Sequence, residues 1–270
     1  MVIPIGDINP TRRRAFVLWS LFAINVGVFG YQALVLQGCE QLAFVYRWAA
    51  IPRELLTGTP LSEAELGPLL GECAPLAGDK NVWLPVLTAL FLHGGPAHLI
   101  GNMVFLGVFG DNVEDRLGHL RFLLFYLVGG GVATAVFVAL QPSATVPLVG
   151  ASGAIAAVLG AYLICFPRAR VLAIVPFPLY LAALLLPGVR IQRWLIIMAV
   201  VVLPAWLMLS GWFVVQAMAA NDPVGDMVAY EAHVAGFIAG IVLVLLLDMR
   251  RSRRGQQAFH PSRRGRPPAR

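Results

Sequence analysis

Apolar residues come in long blocks separated by short polar breaks, and that alternation is the strongest signal along the chain. A block of roughly twenty apolar residues suits a helix that crosses a bilayer core. The first runs from Ala15 to about Leu36, directly after Arg12-Arg13-Arg14. It is too long for the apolar region of a cleaved leader and no small-x-small site ends it, so it reads as a retained first span. A second helix begins near Ala97, a third runs from about Leu120 to Leu140, and a fourth from Ser152 to Phe166-Pro167. Trp194 to Gln216 reads as the fifth and Ala229 to Leu247 as the sixth. The pattern predicts an all-α, polytopic membrane protein with a six-helix bundle over residues 15–248.

The segments between these blocks differ in kind. Residues 37–83 form a polar connection holding Glu40, Glu54, Glu63, Glu65, Glu72 and Asp79, yet with enough Leu and Trp to be partly folded. Val82 to Leu92 is apolar but ends in His93-Gly94-Gly95-Pro96, which suits an amphipathic entry into the membrane more than a span. Val171 to Leu186 is short for a span and is broken by Pro176 and Pro178. It is expected to lie in the interface or to re-enter without crossing. Cys39 and Cys73 share the long connection, where a disulfide would close its loop; free thiols packed as small apolar residues are the alternative.

Composition agrees with the pattern. Apolar residues make up 59% of the 270, charged residues 13%, and the mean hydropathy is +0.77, outside the range of soluble globules. Charge then adds a direction. With residues 1–14 in the cytoplasm and six crossings, 17 of the 20 Lys and Arg fall on the inner side, eight of them in an Arg-rich tail over residues 249–270 that is expected to be disordered. This positive-inside bias puts both termini in the cytoplasm and fits a bacterial plasma membrane. It also accounts for the net charge of +6 through contact with anionic lipid, so no nucleic-acid partner is expected.

Three polar groups remain that a lipid-facing bundle does not need. Gly150-Ala151-Ser152-Gly153 places a hydroxyl at the start of the fourth helix, and Ala232-His233 places an imidazole near the start of the sixth. His98 and Asn102, one turn apart on one face, open the second. The topology sets all of them at one membrane depth. Alone, Ser152 is most simply an N-cap, and His98 with Asn102 a polar pair bonded between helices. Together they make a nucleophile with a base and a set of oxyanion donors. No HExxH or CxxC spacing is present, so no metal or other cofactor is expected.

Gly150-Ala-Ser152-Gly153, Ala232-His233-Val-Ala-Gly236-x-x-x-Gly240 and His93-Gly-Gly-Pro-Ala-His98-Leu-Ile-Gly-Asn102 resemble the rhomboid family of intramembrane serine proteases over about residues 83–248. Glu114-Asp-Arg116-Leu-Gly118 is similar to that family's E-x-R-x-G element. The resemblance implies a rhomboid-like bundle with Ser152 as nucleophile and His233 as general base. His98, Asn102 and the Ser152 backbone N–H would bind the oxyanion. Gly153 and Gly160, facing Gly236 and Gly240, would let the fourth and sixth helices approach. Substrates would be single-span membrane proteins cut near the outer edge of their helix; the oligomeric state is open. The chain departs from the family at Ala156, where many members carry an aromatic that packs on the histidine, and at Arg47-Trp48, where the order is often reversed. An inactive rhomboid-like protein that binds transmembrane clients is one alternative, and a transporter with broken helices is another.

Overall fold

The computed structural model describes residues 2–77, 80–178, 196–220 and 228–258. A strand, β1 (Ile3–Ile8), leads into α1 (Phe16–Leu34). The long connection folds as α2 (Cys39–Trp48), α3 (Pro52–Thr57) and α4 (Glu63–Leu70), followed by a 3₁₀ turn over Gly71–Ala77. Next come α5 (Pro85–Thr88) with a 3₁₀ turn over Ala89–Phe91, α6 (Pro96–Leu117), α7 (His119–Leu140) and α8 (Ser152–Cys165). Strands β2 (Arg170–Pro178) and β3 (Ile196–Pro204) precede α9 (Ala205–Ala219) and α10 (Tyr230–Ala258).

The protein is mostly helical. Among the described residues α1, α7 and the Tyr230–Leu247 part of α10 are long and apolar enough to cross a membrane. A fourth span is the bent pair Pro85–Phe91 and Pro96–Leu117, whose halves meet at 91°. The apolar α8 and α9 are shorter. On α7 every fourth residue from Leu120 through Leu124, Val128, Val132 and Val136 to Leu140 is exposed. In water such a stripe would be an aggregation surface, whereas in lipid it is the natural outside of the bundle.

The centre is α8. Every residue from Gly153 to Tyr162 is buried, which an all-apolar, small-residue sequence allows because no side of it has to meet a polar phase. Gly129 and Gly130 of α7 meet Ala157 and Ala154 on one side of it, and α10 covers another. The turn from α6 to α7 needs only Gly118, whose φ of +83° reverses the chain in one residue. Just before that turn Glu114, 1% exposed, accepts hydrogen bonds from the Val17 and Leu18 N–H groups at 3.0 and 2.7 Å. It supplies from another helix the cap that Ala15 cannot give α1.

Two expectations change. The fifth block was read as helical from Trp194, but Ile196–Pro204 is a strand and the helix starts only at Ala205. The fold is therefore not all-α: β1, β2 and β3 form an antiparallel sheet in that order, with Ile3 opposite Ile174 and Val171 opposite Leu203. Hydropathy cannot tell an apolar strand from an apolar helix. Here the β-branched run Val200-Val201-Val202 favours the strand, and Pro204 stops it. The segment from Val171 lies in the same sheet as far as Pro178, and its remainder to Leu186 is outside the described residues. β1 pairs only with residues 170–174, so Pro176 and Pro178 fall where one edge carries no second ladder. At the far end α10 runs on to Ala258, past the expected tail boundary at 249, and residues 259–270 are outside the described residues.

The long connection has its own small core of Ala43, Ile51, Leu61, Leu66, Leu70 and Ala74, and Cys39 and Cys73 are joined in a disulfide. Lys80 and Glu54 form an almost fully buried ion pair beside it. At the opposite end of the bundle, Asp7 fastens β1. It accepts hydrogen bonds from Tyr162 at the end of α8 and from Asn112 of α6. Burial pushes the Asp7 carboxyl up to about 6; the nearby Asp111 adds to the rise and the Tyr162 hydrogen bond opposes it. A carboxyl raised in the folded state favours folding most when protonated, so its contribution is full below the ordinary value of 3.8 and is lost as the pH rises through about 6. Amide-exchange protection of residues 3–8 in bilayer nanodiscs should therefore be greater at pH 4 than at pH 7. Asp7→Asn should flatten that dependence; protection that is already flat in the wild type would show that the carboxyl's burial is not felt.

Candidate active site

The approach to Ser152 is pinned before the helix begins. Ala50 and Leu148 exchange backbone hydrogen bonds, the Arg53 N–H reaches the Ala144 carbonyl, and the Gly150 N–H donates to the Ala89 carbonyl at 2.9 Å. The long connection and the turn before α6 thereby set the height at which α8 starts. Gly150 takes φ +120°, and a Cβ there would lie 2.8 Å from the His98 ring and 3.6 Å from Asn102 Nδ2. A side chain at this position would be strained by the backbone and would displace the imidazole. Ser152 is the first helical residue, so the cap position falls to Ala151, which has no side chain for it. The half-buried Ser152 hydroxyl makes no hydrogen bond among the described residues, which removes the capping account of this serine.

His98 and Asn102 both stand on α6 and both face Gly150, as their spacing predicts. Asn102 Nδ2 lies 2.9 Å from His93 Nε2, and the His93 and His98 rings are 5.2 Å apart, edge to face. Donating one amide N–H to His93 fixes which way the Asn102 carboxamide points and leaves its second N–H free for a ligand. His93 was quoted only as the start of a motif. Its nine-residue separation from Asn102 crosses a Gly-Gly-Pro turn, so no helical spacing could couple them.

The expected glycine contacts form, with partners partly exchanged. A Cβ on Gly236 would overlap the Gly153 carbonyl, one on Gly240 the backbone of Ala157, and one on Gly160 the carbonyl of Phe237. A Cβ on Gly153 itself would overlap Ala133 of α7 at 2.7 Å and would only reach ordinary contact with the Ala232 carbonyl of α10 at 3.8 Å. The backbones of α8 and α10 thus touch at three points within about two turns. Ser152 precedes the first contact on one helix, and His233 lies one turn before it on the other. His98 lies against Gly150, and His233 precedes the Gly236 contact, so both stand toward the Ser152 end of α8.

His233 is held from α9. Its Nδ1 lies 2.7 Å from Gln216 Oε1; Trp212 packs on the ring at 6.1 Å and 30°, and Tyr230 meets it edge-on at 6.2 Å. Ala156, where an aromatic would have served, is buried against Gly236 instead. The sequence reading missed Trp212 and Gln216. The available signal was a lone amide in the apolar run Trp212-Phe-Val-Val-Gln216, since an intramembrane polar group is costly unless bonded. Glu231, two positions before His233, accepts from Gln141 at an exposed position. Among the described residues no group of His, Cys, Asp and Glu could hold a metal ion.

The fold defines an integral membrane protein built around a buried helix of small apolar residues. A family model, the rhomboid domain, matches residues 80–250, and the chain belongs to the rhomboid family. RHOMBOID-like protein 6, mitochondrial, of Arabidopsis thaliana is 41% identical over 81 residues, 29% of this chain and 25% of that protein. Rhomboid protease GluP of Bacillus subtilis (strain 168) is 42% identical over 87 residues, 31% of this chain and 16% of that one. Rhomboid-related protein 2 of Mus musculus is 30% identical over 158 residues, 57% and 45% of the two chains. The matched stretches span a quarter or less of the first two relatives and under half of the third.

The α8–α10 contact has a direct test. Gly240→Leu must push Ala157 and its backbone aside, and overpacking of this kind costs about 1–3 kcal/mol or more. A melting temperature in detergent lower by several degrees is expected, with a smaller loss for Gly101→Leu, where nothing lies within 4 Å. Equal losses for the two would mean that the helices do not approach this closely.

Proposed function

We propose that this protein is an intramembrane serine endopeptidase that cuts transmembrane segments of single-span membrane proteins with a Ser152–His233 dyad. The observation that carries the reading is the glycine-mediated contact of α8 and α10, with a serine hydroxyl that makes no hydrogen bond among the described residues and a held histidine toward the same end of that helix pair. His233 takes the Ser152 proton as the hydroxyl attacks the scissile carbonyl, and returns it to the leaving amine. Charge then develops on the carbonyl oxygen. Donors for it are His98, the free N–H of Asn102, and the Ser152 backbone N–H at the positive end of α8. The names of two relatives from Bacillus subtilis (strain 168), rhomboid protease GluP and putative rhomboid protease YdcA, agree with this chemistry for proteins that share the family.

The same reading sets the topology. The α5–α6 pair, α8 and α9 join the three longer helices to give six crossings, with the α8 start toward the outer side and the three-stranded sheet and both termini in the cytoplasm. Short α8 can serve as a span because it is enclosed by other helices and its polar N-terminal end meets water in the site. A substrate helix hides its carbonyls in its own hydrogen bonds, so segments with Gly, Pro or polar residues near the outer edge should be cut first.

A fluorophosphonate should label Ser152 in the native protein, and Ser152→Ala or His233→Ala should abolish the labelling. Asn102→Ala and His98→Ala each remove one of several donors, so each should slow cleavage of a single-span reporter by about 10–1000-fold while the serine remains. Labelling that persists in His233→Ala would overturn the base assignment. A native protein that neither labels nor cleaves would instead be a non-catalytic family member that holds transmembrane clients.

A further inference from the structure

The geometry points to Gln216 as the residue that positions His233: its side-chain carbonyl accepts the Nδ1 proton, fixes the imidazole tautomer, and leaves the Nε2 lone pair for Ser152. The inference rests on the dyad reading above and adds a third member on a different helix. The Nδ1–Oε1 distance is 2.7 Å, and an amide oxygen can only accept, so the proton of a neutral ring must sit on Nδ1. Gln216 is 8% exposed on a helix that is otherwise almost wholly apolar, where an amide left without a partner would be costly.

Trp212 stands one turn before Gln216 on the same face of α9. The indole lies beside the ring, its centroid 6.1 Å away and tilted by 30°, while the amide holds Nδ1, so His233 is supported at two points from one helix. Among the described residues no carboxylate fills this place: Glu231 bonds to Gln141 at an exposed position, and its two-residue offset from His233 turns it to another side of α10. A neutral acceptor suits a site inside a membrane, because it orients the base without the cost of keeping a second charge dehydrated.

Gln216 is a positioning residue, so the test reads the ring directly as well as the rate. Two-bond ¹H–¹⁵N correlation spectra of ¹⁵N-histidine-labelled protein in nanodiscs should show His233 with its proton on Nδ1 at neutral pH. Gln216→Met keeps the length of the side chain and removes the acceptor. It should move proton occupancy toward Nε2 and slow fluorophosphonate labelling of Ser152 by about 10–100-fold, the scale of a lost buried hydrogen bond. In reporter cleavage that loss should fall on kcat with KM little changed. Gln216→Glu restores an acceptor at the same point and should return the Nδ1 proton and most of the labelling rate.

A wild-type spectrum with the proton on Nε2 would mean that the amide is turned the other way, and would overturn the proposal whether or not any variant folds. An unchanged tautomer in Gln216→Met, or a loss confined to KM, would overturn it as well. If His233 shows the Nδ1 proton and responds to Gln216→Met while Ser152 never labels, the dyad reading fails and the assignment of Gln216 stands.

Discussion

Direct backbone contact between α8 and α10 is the constraint on which the rest of the molecule depends. Helix axes normally stand 8–10 Å apart because side chains fill the gap. Here Gly236, Gly240 and Gly160 remove the side chains at three points within about two turns, and carbonyl groups of one helix lie against the other. In lipid no hydrophobic force draws two apolar helices together, so close packing of this sort is what holds them. The positions of Ser152 and His233 follow from it. Both lie before the first of these contacts, toward the same end of the helix pair.

The second requirement is that α8 start at the right height, and much of the chain serves it. The disulfide-closed segment between α1 and α5 looks peripheral, yet Ala50 pairs with Leu148 and Trp48 receives the Thr88 hydroxyl. Those contacts join it to the turn before α6 and to the approach to Ser152. Gly150 then fills the narrow place between that approach and the α6 residues. At the other end Asp7, Asn112 and Tyr162 tie the sheet to α6 and α8. The central helix is therefore located from both ends by polar contacts and along its length by apolar ones.

Much of this was legible in the residues, because membrane proteins write their plan in long apolar blocks and rare polar groups. Ser152, His233, His98 and Asn102 stood out as polar groups that a lipid-facing bundle does not need, and the structure brings them to one end of the bundle. The sheet was not legible. Residues 196–204 are as apolar as any span, and their strand form depends on pairing with β2, a partner that hydropathy does not reveal. His93 and Gln216 escaped for a related reason, since each acts across a turn or between helices. Local spacing predicts a residue's neighbours on its own helix and is silent about what stands opposite.

Ala156 shows how far such a silence can reach. With an alanine there, α8 offers His233 no aromatic face, and the motif alone left the histidine to be oriented by something else or held more loosely. The small residue instead lets Gly236 come close, and support for the ring passes to Trp212 and Gln216 on α9. The start of α9 is fixed in turn: the Ala205 and Trp206 N–H groups donate to the carbonyls of Ala169 and Pro167, between α8 and β2. Orientation of His233 therefore depends on a helix anchored at the sheet end of the molecule, far along the chain from Ser152. A shift of α9 relative to α8 would move the Gln216 carbonyl and loosen the imidazole before it disturbed Ser152.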